Sequence, residues 1–284
     1  MQILRVVIPK GRIFESFVQL LNESGIKLTH DQRAYRPVVN DPEIEVKIMK
    51  PQNIPLLLQL GKHDVGFTGL DWVFETGAEV QELLDLDFDP VKIVAAIPEH
   101  LSVDSLKKRK IVVASEYETI ARNYLDKEGF DYVYLRTHGA TEVFPPDDAD
   151  MIVDNTATGR TLQQHNLAII AEIMRSSTRF IANKNVMNDP WKREKIEKIL
   201  MLFRSILDAR SRVMLEMNVV PEYLDAIIKV LPCMRLPTVS PLYQEKGFAV
   251  KAAVKKQEAT KLIPLLKQMG ATDILEYDFR KVVV

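Results

Sequence analysis

Apolar positions along this chain recur at two alternating periods, near-continuous or every second residue in short runs, then every third or fourth in longer ones. Ile3-Leu-Arg-Val-Val-Ile8 predicts a strand, and Pro9 to Arg12 a turn. From Ile13 to Ser24, Phe14, Phe17, Val18 and Leu21 share one helical face, and Gly25 predicts the stop. Ile44 to Ile48 alternates as a strand. Asn53 to Leu60 predicts a short helix with Pro55 in its first turn and Gly61 after it. Val65 to Thr68 is strand-like, the run Leu83 to Leu86 precedes a further strand from Val91 to Ile97, and Pro98 marks a crossover into a second unit.

The second unit repeats the scheme. Ile111 to Ala114 predicts a strand, Thr119 to Glu128 a helix closed by Gly129, and Tyr132 to Leu135 a strand followed by a turn from His138 to Glu142. A strand after Asp150, a small-residue turn, a helical start from Leu162 to Asn166 and a strand from Ala168 to Arg175 complete it. Alternation of this kind predicts parallel sheets covered on both faces. Two α/β lobes facing a cleft are expected, with ligands bound where strand ends meet helix starts. Trp191 to Arg210 follows as a long amphipathic helix with Ile196, Ile199, Leu200, Phe203, Ile206 and Leu207 in one stripe. From Ser211 the order becomes strand, helix, strand, strand, helix, strand, the βαββαβ of a ferredoxin-like, ACT-like domain. Expected boundaries are 1–97 for lobe I, completed by about 178–208, then 98–177 for lobe II and 211–284 for the appended domain.

Composition narrows the function classes. The 284 residues carry 38 basic and 39 acidic side chains, a balance that argues against a general nucleic-acid surface or a polybasic membrane patch. One cysteine, Cys233, excludes a disulfide framework, and the five histidines show no metal-ligand spacing. The opening residues lack the pattern of a signal peptide, and no apolar run reaches the length of a membrane span, so a cytoplasmic protein is expected.

The stretch Asp150-Met-Ile-Val-Asp154-Asn-Thr-Ala-Thr158-Gly159-Arg160-Thr161-Leu162 carries the clearest chemistry. Strand, hydroxyl-rich turn and helix start aim backbone N–H groups at one spot, which suits a phosphate. Thr158 and Thr161 add hydroxyl donors, and Gly159 permits close approach. Asp154, at the strand end, is placed to accept hydrogen bonds from sugar hydroxyls beside that phosphate. The competing explanation is a strand-to-helix turn whose threonines merely cap the helix.

In order along the chain, Ile8-Pro-Lys-Gly-Arg12, Asp64-Val-Gly-Phe-Thr-Gly-Leu-Asp71 with Trp72, Lys110-Ile-Val-Val-Ala-Ser115, Gly139-Ala-Thr-Glu142-Val143, the stretch from Asp150 to Leu162, Leu236-Pro-Thr-Val-Ser-Pro-Leu242 and the pair Gly270-Ala271 together resemble the long form of the ATP phosphoribosyltransferases over essentially the whole chain. The resemblance implies transfer of a phosphoribosyl group from phosphoribosyl pyrophosphate to N1 of ATP, the first step of histidine biosynthesis, with Mg2+ as cofactor and direct metal ligands unassigned. It implies catalytic roles for Lys10, Arg12, Arg33, Glu142 and Asp154. Phosphoribosyl pyrophosphate would be bound by Asp154, Thr156, Ala157, Thr158, Gly159, Arg160 and Thr161, and ATP by Lys10, Gly11, Arg12, Asp71 and Glu142. Asn218, Thr238 and Ala271 fall on positions resembling an inhibitory histidine site, and a homo-oligomer, dimer and hexamer, is implied. Two departures stand out. Lys50-Pro-Gln-Asn53 replaces an Arg and paired acids common in the family, and Asn218 replaces an acid found in some relatives. The alternatives are a two-lobed cytosolic effector-binding protein without catalysis, or a phosphoribosyltransferase with another acceptor.

Overall fold

The computed structural model describes residues 2–29 and 35–284. Arg33 lies outside the described residues, as does the side chain of Arg12. The chain divides into two compact units, one running up to Asn22 and from Ile26 to Lys195, the other made of Glu23–Gly25 and Ile196–Val284.

The first unit contains two five-stranded sheets. The strands and helices that lead into them are β1 (Leu4–Pro9), α1 (Arg12–Ser24), a hairpin of β2 (Leu28–Thr29) and β3 (Val38–Val39), β4 (Ile44–Met49), α2 (Ile54–Gln59), β5 (Val65–Gly69), α3 (Leu70–Thr76) and β6 (Val80–Asp85). They continue with β7 (Val91–Pro98), α4 (Val103–Leu106), β8 (Ile111–Ser115), α5 (Glu118–Glu128), β9 (Tyr132–Arg136), β10 (Met151–Thr156), α6 (Arg160–Gln164), β11 (Leu167–Ser176) and β12 (Thr178–Asn183). The first sheet has the order β4-β1-β5-β12-β6 and the second β11-β7-β10-β8-β9. These are two α/β lobes of the periplasmic-binding-protein-like type.

Neither sheet is wholly parallel, contrary to the expectation from alternation. β1 runs parallel to β4 and β5, and β8 to β9 and β10, as βαβ units require. β12, however, is antiparallel to β5 and β6, and β7 is antiparallel to β10 and β11. The reason lies in the connections. β6 leads to β7 and β11 leads to β12 without an intervening helix, so each passes directly from one sheet to the other. A strand arriving this way is free of the crossover that enforces parallel pairing. The crossover therefore falls before Val91, not at Pro98, and β7 pairs within the second lobe.

Burial follows the pattern of the sequence. β1 is buried at every position but Leu4's neighbour Arg5, and β5 at all five. Around β5, Phe67 stacks on Phe180 at 4.5 Å and meets Phe17 at 4.1 Å. The second lobe packs Ile93, Val113, Ile120, Leu125 and Val153 into one cluster, and Trp72 of α3 packs against it from the first lobe.

The second unit takes up α7 (Pro190–Arg210) from Ile196 onward, then β13 (Arg212–Val219), α8 (Pro221–Val230), β14 (Thr238–Pro241), β15 (Phe248–Lys255), α9 (Lys256–Gln268) and β16 (Thr272–Asp278). Its sheet order, β14-β15-β13-β16, with antiparallel pairing throughout, is ferredoxin-like. β13 alternates strictly: Val213, Leu215, Met217 and Val219 are buried, and the residues between them are half-buried. The buried set packs with Ile227 of α8 and Leu262 and Leu266 of α9.

Candidate active site

Both direct strand connections between the lobes end at one place. Ser176, Ser177 and Thr178, the link from β11 to β12, are all buried. Beside them a cavity of about 200 Å3 is lined by Lys10, Asp71, Trp72, Glu116, Tyr117 and Asn155 among others. A second cavity of about 370 Å3 shares Gln52, Trp72 and Glu116 with it and extends to Glu75, Thr119, Arg136 and His138. The site thus occupies the strand-end crevice where open α/β sheets bind ligands.

The phosphate-loop candidates are contiguous. β10 ends at Thr156, and the turn brings Gly159 to φ +78°, a left-handed conformation that a residue with Cβ adopts at a cost. The turn is closed by its own hydroxyls: Gly159 N–H donates to Thr156 Oγ1 at 2.9 Å, and Arg160 N–H to Thr158 Oγ1 at 3.5 Å. Ala157, Thr158, Arg160 and Thr161 are exposed around it. α6 begins at Arg160 rather than Leu162 and is a single short turn, so the anion-attracting character belongs to local N–H groups and hydroxyls rather than to a long helix dipole.

Asp154 is half-buried at the end of β10. Burial pushes its carboxyl up to about 7, the nearby charges of Glu142 and Glu116 push the same way, and the backbone N–H of Asn155 partly offsets them. That N–H donates to Asp154 Oδ1 at 2.7 Å, and Asn155 Nδ2 approaches the same oxygen at 3.3 Å. Glu142 follows Ala140 (φ +51°) in the 3-10 turn Thr141–Val143, which is anchored by the Thr137–Thr141 hydroxyl pair at 2.8 Å. Glu116 and Glu142 are therefore near enough for their charges to act on Asp154.

Asp71 lies deeper. It is 4% exposed, its Oδ1 accepts from Ser176 Oγ at 2.6 Å, and its Oδ2 accepts from Tyr117 OH at 2.8 Å. Tyr117 OH in turn accepts from Asn155 Nδ2 at 3.1 Å. Burial first, then the Asp71 carboxylate, pushes the Tyr117 phenol far above its usual range, so it remains a donor at any working pH. Lys10 lines the smaller cavity and reaches Tyr35 OH at 3.4 Å, while Gly11 turns the chain at φ +93° into α1. The structure thus places Lys10 and Asp71 on one cavity and links Asp71 through Tyr117 to Asn155, the neighbour of Asp154, while Glu142, Asp154 and residues 156–161 line neither cavity. Tyr117, Asn155 and Ser176 were not singled out from the sequence. Asn155 was detectable as the neighbour of Asp154, but Tyr117 and Ser176 are distant in sequence and carry no motif signal.

In the second unit, Asn218 on β13 donates to Asp273 Oδ2 at 2.8 Å. Register puts Thr238 opposite Lys251, on the same sheet face as Asn218, which lies opposite Ala249. Ala271 is instead 1% exposed within the core. Asn218 and Thr238 therefore share a face, and the Ala271 side chain packs on the other side.

A family model described as ATP phosphoribosyltransferase (HisG) matches residues 50–205, and one described as the HisG C-terminal domain matches residues 209–281. The ATP phosphoribosyltransferase of Pelotomaculum thermopropionicum is 39% identical over 289 residues, 99% of each chain. The chain belongs to the ATP phosphoribosyltransferase family. A second member, from Pelodictyon phaeoclathratiforme, is 39% identical over 99% of this chain and 98% of its own. As a member of this family the protein is a transferase of histidine biosynthesis, in its long form with the C-terminal domain. The solved ATP phosphoribosyl transferase (HisG:HisZ) complex from Thermotoga maritima has a chain that superposes with a TM-score of 0.64 at 23% identity, over 71% of this chain and 99% of its own, a likeness of fold. Among the described residues no helix is long and apolar enough to cross a membrane, and no group of three His, Cys, Asp or Glu side chains converges as a metal site.

Proposed function

We propose that the protein transfers the phosphoribosyl group of phosphoribosyl pyrophosphate to N1 of ATP, releasing pyrophosphate. The observation that carries this reading is the pairing of a half-buried carboxyl, Asp154, with a hydroxyl-lined left-handed turn at Thr156–Thr161 at the end of the same strand. A ribose 5-phosphate presents hydroxyls and a phosphate at matching ends. Asp154 accepts the ribose hydroxyls, and the hydroxyls of Thr156, Thr158 and Thr161 with the N–H groups of Ala157, Thr158 and Thr161 receive the 5-phosphate, Gly159 shaping the turn and Arg160 adding charge.

Bond breaking at C1 leaves positive charge on the sugar and negative charge on the pyrophosphate. The Asp154 carboxylate, with the charges of Glu142 and Glu116 acting near it, favours an oxocarbenium-like transition state electrostatically. Lys10, Arg12 and Arg33 neutralise the pyrophosphate and the ATP phosphates, Gly11 lets the backbone approach them, and Glu142 positions ATP. Asp71, with both oxygens hydrogen-bonded to protein, holds the wall of the ATP site rather than the nucleotide's phosphates. Asp154 and Glu142 are the carboxylates that would face Mg2+ carried on the phosphates of the substrates, as oxygen donors suited to a hard cation. Bound there, Mg2+ supplies charge neutralisation of the leaving group.

The lobes are assigned to catalysis and 211–284 to feedback inhibition by histidine, with Asn218, Thr238 and Ala271 at or beneath that site. The assembly is a dimer and hexamer, and the location cytoplasmic. The test mixes the protein with ATP, phosphoribosyl pyrophosphate, Mg2+ and a pyrophosphatase. Phosphoribosyl-ATP that depends on both substrates is the expected product; substrate binding without product would mean another acceptor.

A further inference from the structure

α3 belongs to the first lobe by chain and sheet, yet three of its side chains or rings engage the second. Asp71 Oδ2 accepts from Tyr117 OH, and the Trp72 ring stacks on Tyr117 with centroids 4.6 Å apart at 25°. One turn further on, the two carboxylate oxygens of Glu75 accept from Thr119 N–H and Ile120 N–H, each at 3.1 Å, and Thr119 Oγ1 donates to the Glu75 carbonyl at 2.8 Å. The N-cap position of α5, Tyr117, offers no side-chain cap of its own, so the orphan N–H groups of this second-lobe helix are satisfied by an acid from the first lobe.

Tyr117 is where this strut meets the strand bearing Asp154. Its buried hydroxyl donates to Asp71 and accepts from Asn155 Nδ2. Asn155 then delivers its backbone N–H and its Nδ2 to Oδ1 of Asp154, which leaves Oδ2 outside both bonds. An Asn amide torsion has a broad minimum, so its orientation depends on what its ends are bonded to. Here one partner of the amide is fixed by the first lobe.

We propose that Tyr117 is a positioning residue for Asp154: it ties the first-lobe helix α3 to Asn155 and so fixes the carboxylate that grips the ribose of phosphoribosyl pyrophosphate. The proposal rests on the substrate reading given above. It assigns to Tyr117 no contact with substrate. Its physical content is that the ribose grip in the second lobe is set only when α3 is docked on α5.

Tyr117→Phe removes one oxygen and keeps the ring on Trp72. Calorimetric titration of phosphoribosyl pyrophosphate with Mg2+ should show binding about tenfold weaker than in the parent protein, the loss expected of one hydrogen bond, and KM for phosphoribosyl pyrophosphate should rise alike and by a larger factor than KM for ATP, whose wall Asp71 keeps through Ser176. Asn155→Ala, at an exposed position, should give the same selective loss, and the double variant should be no worse than Asn155→Ala alone. Unchanged affinity in Tyr117→Phe, or additive losses in the double variant, would overturn the proposal, as would a fall in kcat alone that tracks the folded fraction. If Tyr117→Phe fails to fold, Glu75→Gln takes its place in the cycle with Asn155→Ala. The calorimetry does not depend on turnover. A parent protein that binds phosphoribosyl pyrophosphate but forms no phosphoribosyl-ATP overturns the acceptor assignment and leaves the binding comparison to decide on Tyr117. No binding by the parent overturns both.

Discussion

Asp154 joins substrate recognition to a stability cost. Its carboxyl is raised to about 7 by burial and by the charges of Glu142 and Glu116, so the folded protein holds this proton more tightly than the unfolded chain does. Stability from this group is therefore full below the ordinary carboxylate range and is lost as pH rises through about 7. Replacing it by Asn should raise the melting temperature at pH 8 relative to the parent, by a change worth about 1 to 2 kcal/mol after allowance for solvent at a half-buried group, and much less at pH 5. The same substitution should cost about a hundredfold or more in kcat/KM for phosphoribosyl pyrophosphate, since the carboxylate acts on a developing cation. In the parent enzyme, kcat/KM for this substrate should climb with pH to a plateau above about 7, because the ionised form accepts the ribose hydroxyls. A flat profile between pH 6 and 8 would count against Asp154 in that role. Only part of this was legible in the sequence. Asp154 and the Thr-Gly-Arg-Thr turn stand together in the chain, whereas Glu116 and Glu142 come to Asp154 from separate loops.

At the scale of the element, β5 shows why its glycines are needed whatever the ligand. A Cβ built at Gly66 would lie 2.6 Å from Val7 Cγ1 and 2.9 Å from Ile54 Cγ2, so β1 and α2 approach the strand more closely than any other residue permits. Gly66→Ala should destabilise the fold by about 2 kcal/mol through overpacking, read as a lower urea midpoint. At Gly69 the obstruction is functional: a Cβ would meet Asp71 Oδ1 at 2.1 Å. Gly69→Ala should displace the Asp71 carboxylate from Ser176 and Tyr117 and lower activity by more than its loss of stability accounts for; activity and melting temperature measured together distinguish the two glycines. β12 and the antiparallel placement of β7 are where period-based reading failed. A strand's pairing partner and direction depend on which sheet its connection reaches, and the pattern of apolar residues carries no record of that.

For the whole molecule, the feedback control by histidine proposed for residues 211–284 is open to direct titration. Asn218 offers a neutral amide, and its Nδ2 is engaged by Asp273. Histidine should inhibit at millimolar concentration, and Asn218→Asp should tighten inhibition severalfold by restoring a charge-assisted bond, provided the repulsion with Asp273 is relieved by the ligand's ammonium. Absence of inhibition in the parent enzyme across that range would remove the regulatory assignment of residues 211–284.

The sequence by itself determined the α/β alternation, the βαββαβ tail, the family, and the contiguous turn after Asp154, because each is written in local period, turn chemistry or motif order. Residue-to-residue spacing along ten or so positions suffices for those. The tertiary structure alone decided that β7 joins the second lobe, that both lobes mix strand directions, and that Ser176, Asp71, Tyr117, Asn155 and Asp154 form one hydrogen-bonded path. Those outcomes depend on contacts between distant residues, Asp71 and Ser176 being 105 positions apart, whose energies reside in burial and geometry that no local pattern encodes.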